Sequence, residues 1–253
     1  MNYRITSRET ALTFRCGDDQ LIGVIHHATE TSNLGVLTIV AGGPQYRGGC
    51  GRQLVELGRR LAGEGVNVMR FDHRGMGDSA GTFAGFEHLQ DDISAAISTF
   101  KSEVPSLERI VLWGGCDAAS AALINAHSSR DVVSVVAANP WISTERIAAK
   151  VQQKHYLARL KQVSFWRKLL RFEYRISDYI KSRKDQAKDT PTVSNMPADS
   201  NKQNYLNKIR QGIEAFDGSI LFLISGKSMM SREFDELVTS DAAWKKTYGE
   251  CGA

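Results

Sequence analysis

The chain has 253 residues, 42% of them hydrophobic and 24% charged, and a formal net charge of +4. That composition excludes a disordered or collagen-like chain, and the mild charge, with no nucleic-acid-binding motif beside it, argues against nucleic acid as a partner. No apolar run approaches the roughly 20 residues of a bilayer span, and residues 1–8 lack a signal peptide's apolar core, so a cytoplasmic protein is expected.

The first elements read as an antiparallel pair of strands, 11–16 and 21–27, joined by the turn Gly17-Asp18-Asp19-Gln20. A buried-type strand at 35–40 then runs into Gly42-Gly43-Pro44-Gln45-Tyr46-Arg47. A glycine-rich loop after such a strand can supply one N–H of an oxyanion hole. Pro44 has no N–H, so the donor is expected to be Gly43 or Gln45. A helix over 52–64 places Leu54, Leu57, Leu61 and Ala62 along one face.

A strand at 66–71 leads into Asp72-His73-Arg74-Gly75-Met76-Gly77-Asp78-Ser79. This charged, glycine-punctuated string is the expected form of a turn after a parallel strand. Asp72 and Arg74 are expected to hold the loop by charge-assisted hydrogen bonds, and His73 to be a loop residue rather than a base. A helical stripe follows at Leu89, Ile93, Ala96, Ile97 and Phe100.

The stretch Arg109-Ile110-Val111-Leu112-Trp113-Gly114-Gly115-Cys116-Asp117-Ala118 carries the most chemistry. It is an apolar strand entering a tight turn with a nucleophilic side chain at its apex. A nucleophile elbow needs small residues two before and two after the nucleophile, and Gly114 and Ala118 stand there. Cys116 is therefore the expected nucleophile, in the place where serine is usual. The backbone N–H of Asp117, opening the next helix, is expected to donate to the oxyanion, with the helix dipole favouring thiolate.

Beyond a sixth strand at 132–138, ending in Asn139-Pro140-Trp141, and before a seventh at 219–224, lies a long insert at 142–218. It is expected to form a helical cap on a core made of 1–141 and 219–253. Between 146 and 188 it mixes Lys and Arg with Tyr156, Phe165, Trp166, Leu170 and Phe172, as an amphipathic lid does. Weak contact with an anionic membrane surface is the other reading of that charge. The polar run 182–203 is expected to be a loop. Alternation of strands and helices predicts an α/β fold, a mostly parallel, doubly wound sheet. The cysteines Cys16, Cys50, Cys116 and Cys251 have no metal-ligand spacing, so neither metal nor cofactor is expected.

The strings at 42–47, 70–79, 112–121 and 139–141, with His155-Tyr156-Leu157 and Phe165-Trp166-Arg167-Lys168-Leu169-Leu170 in the insert, resemble the exosortase A system-associated hydrolase 1 family. These are α/β-hydrolases found near exosortase and exopolysaccharide genes in Gram-negative bacteria. The resemblance spans essentially the whole chain and implies a hydrolase whose nucleophile is Cys116. Similar chains carry an acid where Ser228 stands, and serine and histidine where Cys50 and Gly51 stand. A triad on this fold runs nucleophile, acid, histidine along the chain, with the histidine after an eighth strand. All six histidines here precede the seventh strand. After it the sequence predicts one helix over about 232–248, so the last strand and helix of a complete hydrolase are expected to be missing by truncation. Glu233 or Asp235 would have to serve as the acid.

The expected activity is hydrolysis of an ester or thioester of a small acyl substrate through Cys116, weakened by loss of the late histidine and acid. The alternative is a catalytically inactive protein of this fold that binds a small molecule or a partner.

Overall fold

A computed structural model of the chain describes residues 8–40, 46–143, 147, 151, 202–226 and 228–250. Seven strands form one sheet: β1 (Glu9–Cys16), β2 (Asp19–His26), β3 (Leu34–Ile39), β4 (Asn67–Asp72), β5 (Arg109–Gly115), β6 (Val132–Ala138) and β7 (Ser219–Leu223). Their order is β1-β2-β4-β3-β5-β6-β7. β2 pairs antiparallel with β1 and β4, and every later pairing is parallel. This is the expected mostly parallel sheet of an α/β-hydrolase, with an antiparallel opening.

Burial follows position in the sheet. All six residues of β4 and five of six in β3 are buried, as central strands covered on both faces should be, and β4 takes Asn67, Arg70 and Asp72 inside with its apolar side chains. β1, at one edge, alternates instead and buries Phe14 and Cys16. The helices are α1 (Gln53–Gly63), α2 (Gln90–Glu103), α3 (Asp117–Asn125), α4 (Lys202–Glu214), α5 (Met229–Ser240) and α6 (Ala242–Glu250). α2 buries the stripe read from the sequence, with Ile93, Ala96, Ile97 and Phe100 inside. Full burial of each large side chain such as Phe71, Phe100, Leu37 or Leu112 contributes about 1.5–3 kcal/mol.

Two elements differ from the expectation. α1 buries Leu54, Val55, Gly58 and Ala62, with Leu57 only partly covered. The face is rotated because α1 rests on the ring of His26 at Gly58, where any larger residue would collide. The single helix expected at 232–248 is two helices, broken at Asp241 in an extended conformation. Its Oδ1 accepts the N–H groups of Ala243 and Trp244 at 2.9 and 3.1 Å, an N-cap that starts α6 afresh.

Most of the insert, and with it the cap expectation, lies outside the described residues. Its last part, α4, packs beside α3 in the helical layer, burying Tyr205, Leu206, Ile209 and Ile213. β7 covers Ile220 and Phe222 with α5 and α6 through Phe234 and Tyr248, while Leu221 and Leu223 on its other face are exposed. Among the described residues no helix is long and apolar enough to cross a membrane.

Candidate active site

β5 ends at the turn that the spacing of small residues predicts. Cys116 has φ 62° and ψ −126°, a left-handed conformation that a non-glycine residue adopts at a cost on the order of 1–3 kcal/mol. The neighbours that hold it there are backbone groups. Its N–H donates to Ala138 O (2.9 Å), and its carbonyl accepts from Trp141 N (3.0 Å) and Ala119 N (3.1 Å). β6 and the loop after it therefore brace the apex from one side and α3 from the other. Gly114 is required by close approach, since a Cβ there would lie 2.4 Å from the carbonyl oxygen of Ala118. The small pair expected around the apex is thus in contact.

Asp117 opens α3 directly after Cys116, and its N–H lowers the pKa of the neighbouring thiol. The Asp117 side chain acts the other way, its Oδ1 accepting the Ala118 N–H at 2.9 Å and placing a carboxylate on the first turn of α3. The expected bias toward thiolate is overturned. Burial pushes the Cys116 thiol up, the Asp117 charge adds to that, and the Asp117 N–H offsets only part. The half-buried sulfur also contacts the Met230 thioether, Sγ to Sδ 3.6 Å.

Gly43 and Gln45, the expected donors of the second N–H, lie outside the described residues. The chain is firmly held where that loop ends. Arg47 N donates to Asp72 Oδ1 at 2.5 Å, and its guanidinium pairs with Asp72 and, at 2.8 Å, with Asp78. Arg70 donates to the Arg47 carbonyl at 2.8 Å and through Nε to His26 Nε2 at 2.8 Å. That second bond leaves the His26 proton on Nδ1, which faces Glu9 Oε1 at 3.5 Å. Burial, then the Arg70 charge, pushes His26 down to about 4, and burial brings Arg70 to about 10. Asp72 is fully buried and also accepts the Asp78 N–H at 3.1 Å. A Cβ at Gly77 would lie 2.3 Å from Asp72 Oδ2, so only glycine lets the loop close over this carboxylate.

The loop after β4 thus uses its charges as expected, and Arg74 is clamped to Asp92 at 2.8 Å, which raises the guanidinium pKa further. His73 is fully buried with Nδ1 3.1 Å from the Arg74 carbonyl, which assigns the proton to Nδ1. Its ring lies 4.9 Å from that of Phe83, and burial holds its pKa down.

Ser228, expected at the position of the usual acid, is the N-cap of α5. Its Oγ accepts the Ser231 N–H at 3.1 Å and the Ser225 hydroxyl at 2.9 Å. The two reserve carboxylates diverge: Asp235 is exposed, while Glu233 is buried against Ser143, its carboxyl pushed up by that burial. Three features escaped the sequence reading: the Arg47–Asp72 clamp, the opposing charge of Asp117, and Met230 beside the sulfur. The first two had signals in the Arg47, Asp72 and Asp117 charges; the third had none.

Over residues 36–227 the chain matches the family described as Serine aminopeptidase, S33. The chain belongs to that family. Its members are α/β-hydrolases, so the coarse assignment is a hydrolase. No curated protein matches the chain. An esterase from Pyrococcus furiosus is similar in fold, with 16% identity, a TM-score of 0.63, and coverage of 96% of this chain and 80% of the esterase. Est1E from Butyrivibrio proteoclasticus, solved with ferulic acid bound, has 15% identity, a TM-score of 0.53, and coverage of 84% and 77%. Proline iminopeptidase from Mycobacterium smegmatis has 12% identity, a TM-score of 0.52, and coverage of 84% and 80%. At these identities the likeness is one of fold.

Proposed function

We propose that this chain transfers the acyl group of a small ester or thioester to water through Cys116. The observation that carries this reading is the apex geometry: a cysteine held at φ 62° by four backbone bonds, between the end of β5 and the first residue of α3. The thiol loses its proton to solvent, and the sulfur attacks the carbonyl carbon. The oxyanion that forms takes the Asp117 N–H and a second N–H from Gly43 or Gln45, and the C–O or C–S bond to the leaving group breaks. Water then adds to the thioester and releases the acid and the thiol.

Because burial keeps the sulfur protonated, acylation should accelerate about tenfold per pH unit through the neutral range, tracking the thiolate fraction. Deacylation needs an activated water, and among the described residues no histidine hydrogen-bonds to the Cys116 sulfur, whose contact is Met230. Without a base in place that step should slow by roughly two to four orders of magnitude, so the acyl-enzyme should accumulate. Release of p-nitrophenol from short acyl esters, with intact mass recorded on the same samples, tests the reading. A burst with an acyl adduct that vanishes in Cys116→Ala supports it, and release undiminished in that variant overturns it.

The resemblance carried by 42–47, 70–79, 112–121 and 139–141 supports a narrower assignment, a hydrolase of exosortase and exopolysaccharide systems acting in the cytoplasm. A second reading, an inactive α/β-hydrolase that binds a small molecule or partner, is favoured by two contacts. Ser228 is spent on capping α5, and Met230 stands against the sulfur. Absence of both burst and adduct would select it.

A further inference from the structure

We propose that Met230 is a shutter on Cys116, a side chain that covers the reacting sulfur and decides which groups reach it. The proposal rests on the reading of Cys116 as the reacting group and adds a residue outside the acyl-transfer machinery.

Met230 lies on the first turn of α5. That turn is fixed from behind, where Ser228 caps it, Ser231 is buried, and Ser231 Oγ donates to the Ser228 carbonyl at 2.7 Å. Further along the same helix Phe234 packs on Phe222 of β7, with ring centroids 5.4 Å apart. The turn therefore aims two consecutive methionines in different directions. Met229 is 49% exposed, and Met230 is half-buried with its sulfur 3.6 Å from Cys116 Sγ.

Two consequences follow from that contact. A carbonyl carbon bonding to Cys116 must come well inside van der Waals distance of Sγ, and on one side of the sulfur the Met230 thioether already stands at 3.6 Å. The thiol also has a weak acceptor in Met230, a partner lost once the proton leaves, so the contact favours the unreactive form. Met is unbranched, with three side-chain torsions, so it can swing aside at low cost for a small group and poorly for a large one. Met230 thereby selects for short acyl groups.

The test is alkylation of the full chain by iodoacetamide, in which the sulfur–carbon bond forms, iodide leaves and the thiol proton passes to buffer. Each cysteine-containing peptide is quantified by mass over time. Exposed Cys50 is the internal reference, and buried Cys16, at 4% exposure, reports loss of the fold. Met230→Ala should label Cys116 about tenfold faster than the unaltered chain, Met230→Leu within about twofold of it, and Met229→Ala at the unaltered rate. An unchanged rate in Met230→Ala, or equal acceleration in Met230→Leu, overturns the shutter. Should Cys16 label in Met230→Ala, Met230→Val carries the comparison with a smaller acceleration expected.

Alkylation keeps this inference separate from the acyl-transfer reading. Faster alkylation in Met230→Ala with no acyl adduct on any variant retains the shutter and discards acyl transfer. Equal alkylation with a normal acyl adduct does the reverse.

Discussion

β4 and β7 each stand two strands from β5 in the sheet, on opposite sides of the elbow, and the segments at their carboxyl ends are built from different chemistry. On the β4 side, Asp72, Arg47, Asp78, Arg70 and His26 form a chain of charge-assisted bonds that is buried at Asp72, Arg70 and His26 and reaches the surface at Asp78, with Arg74 and Asp92 beside it. On the β7 side, the links are three serine hydroxyls and a thioether. Ionic groups fix Arg47, just beyond the loop expected to carry an oxyanion donor, whereas among the described residues the segment after β7 is linked through neutral groups.

Breaking the β4 side should have the largest effect. Asp72→Ala removes one of the two carboxylates on the Arg47 guanidinium and the acceptor of two N–H groups in a buried place, and should cost about 3 kcal/mol in urea unfolding. At the elbow, Gly114→Ala drives a methyl against the Ala118 backbone, which cannot swing away. It should cost about 3 kcal/mol by the same measurement and abolish any Cys116-dependent burst.

The ionic side should also carry a pH signature. His26 is held down to about 4 in the folded chain against an ordinary value of 6.5, so the unfolded chain binds more protons between those values. Stability should be full above about pH 6.5 and fall as pH drops toward 4, by about 2 kcal/mol after allowance for screening at the Glu9 rim. His26→Gln, which can still accept from Arg70, should flatten the urea midpoint across that window. A slope unchanged in that variant would assign the titration elsewhere.

The smallest effect belongs to the β7 side. Ser228→Ala should lose about 1 kcal/mol through the missing cap, while Ser228→Asp, an equally good capping residue, should keep thermal stability near the original. Loss of stability in both would show that more than a cap stands at this position.

Much of this architecture is legible from residue order. Alternation in β1, the apolar-rich run of β3, and the 3.6-residue stripe of α2 are one-dimensional patterns with one low-energy solution each. The elbow is legible because Gly114 and Ala118 flank Cys116 at fixed spacing, and a strained turn admits nothing larger. The break at Asp241 was missed because a helix-compatible run on both sides outweighed one capping residue. The rotated face of α1 was missed because Gly58 adds nothing to a hydrophobic pattern, yet it touches His26 across the layer.

Residue order, then, dictates the strands, the helices and the elbow, since each depends on side chains a few positions apart. Three-dimensional packing decides the rest. Arg47 finds Asp72 and Arg70 across 25 and 23 residues, and Met230 meets Cys116 across 114. The state of the Cys116 sulfur belongs to the same class. A helix N-terminus alone would favour thiolate, but burial and the Asp117 carboxylate oppose it, and desolvation is a property of the surroundings that no local motif encodes.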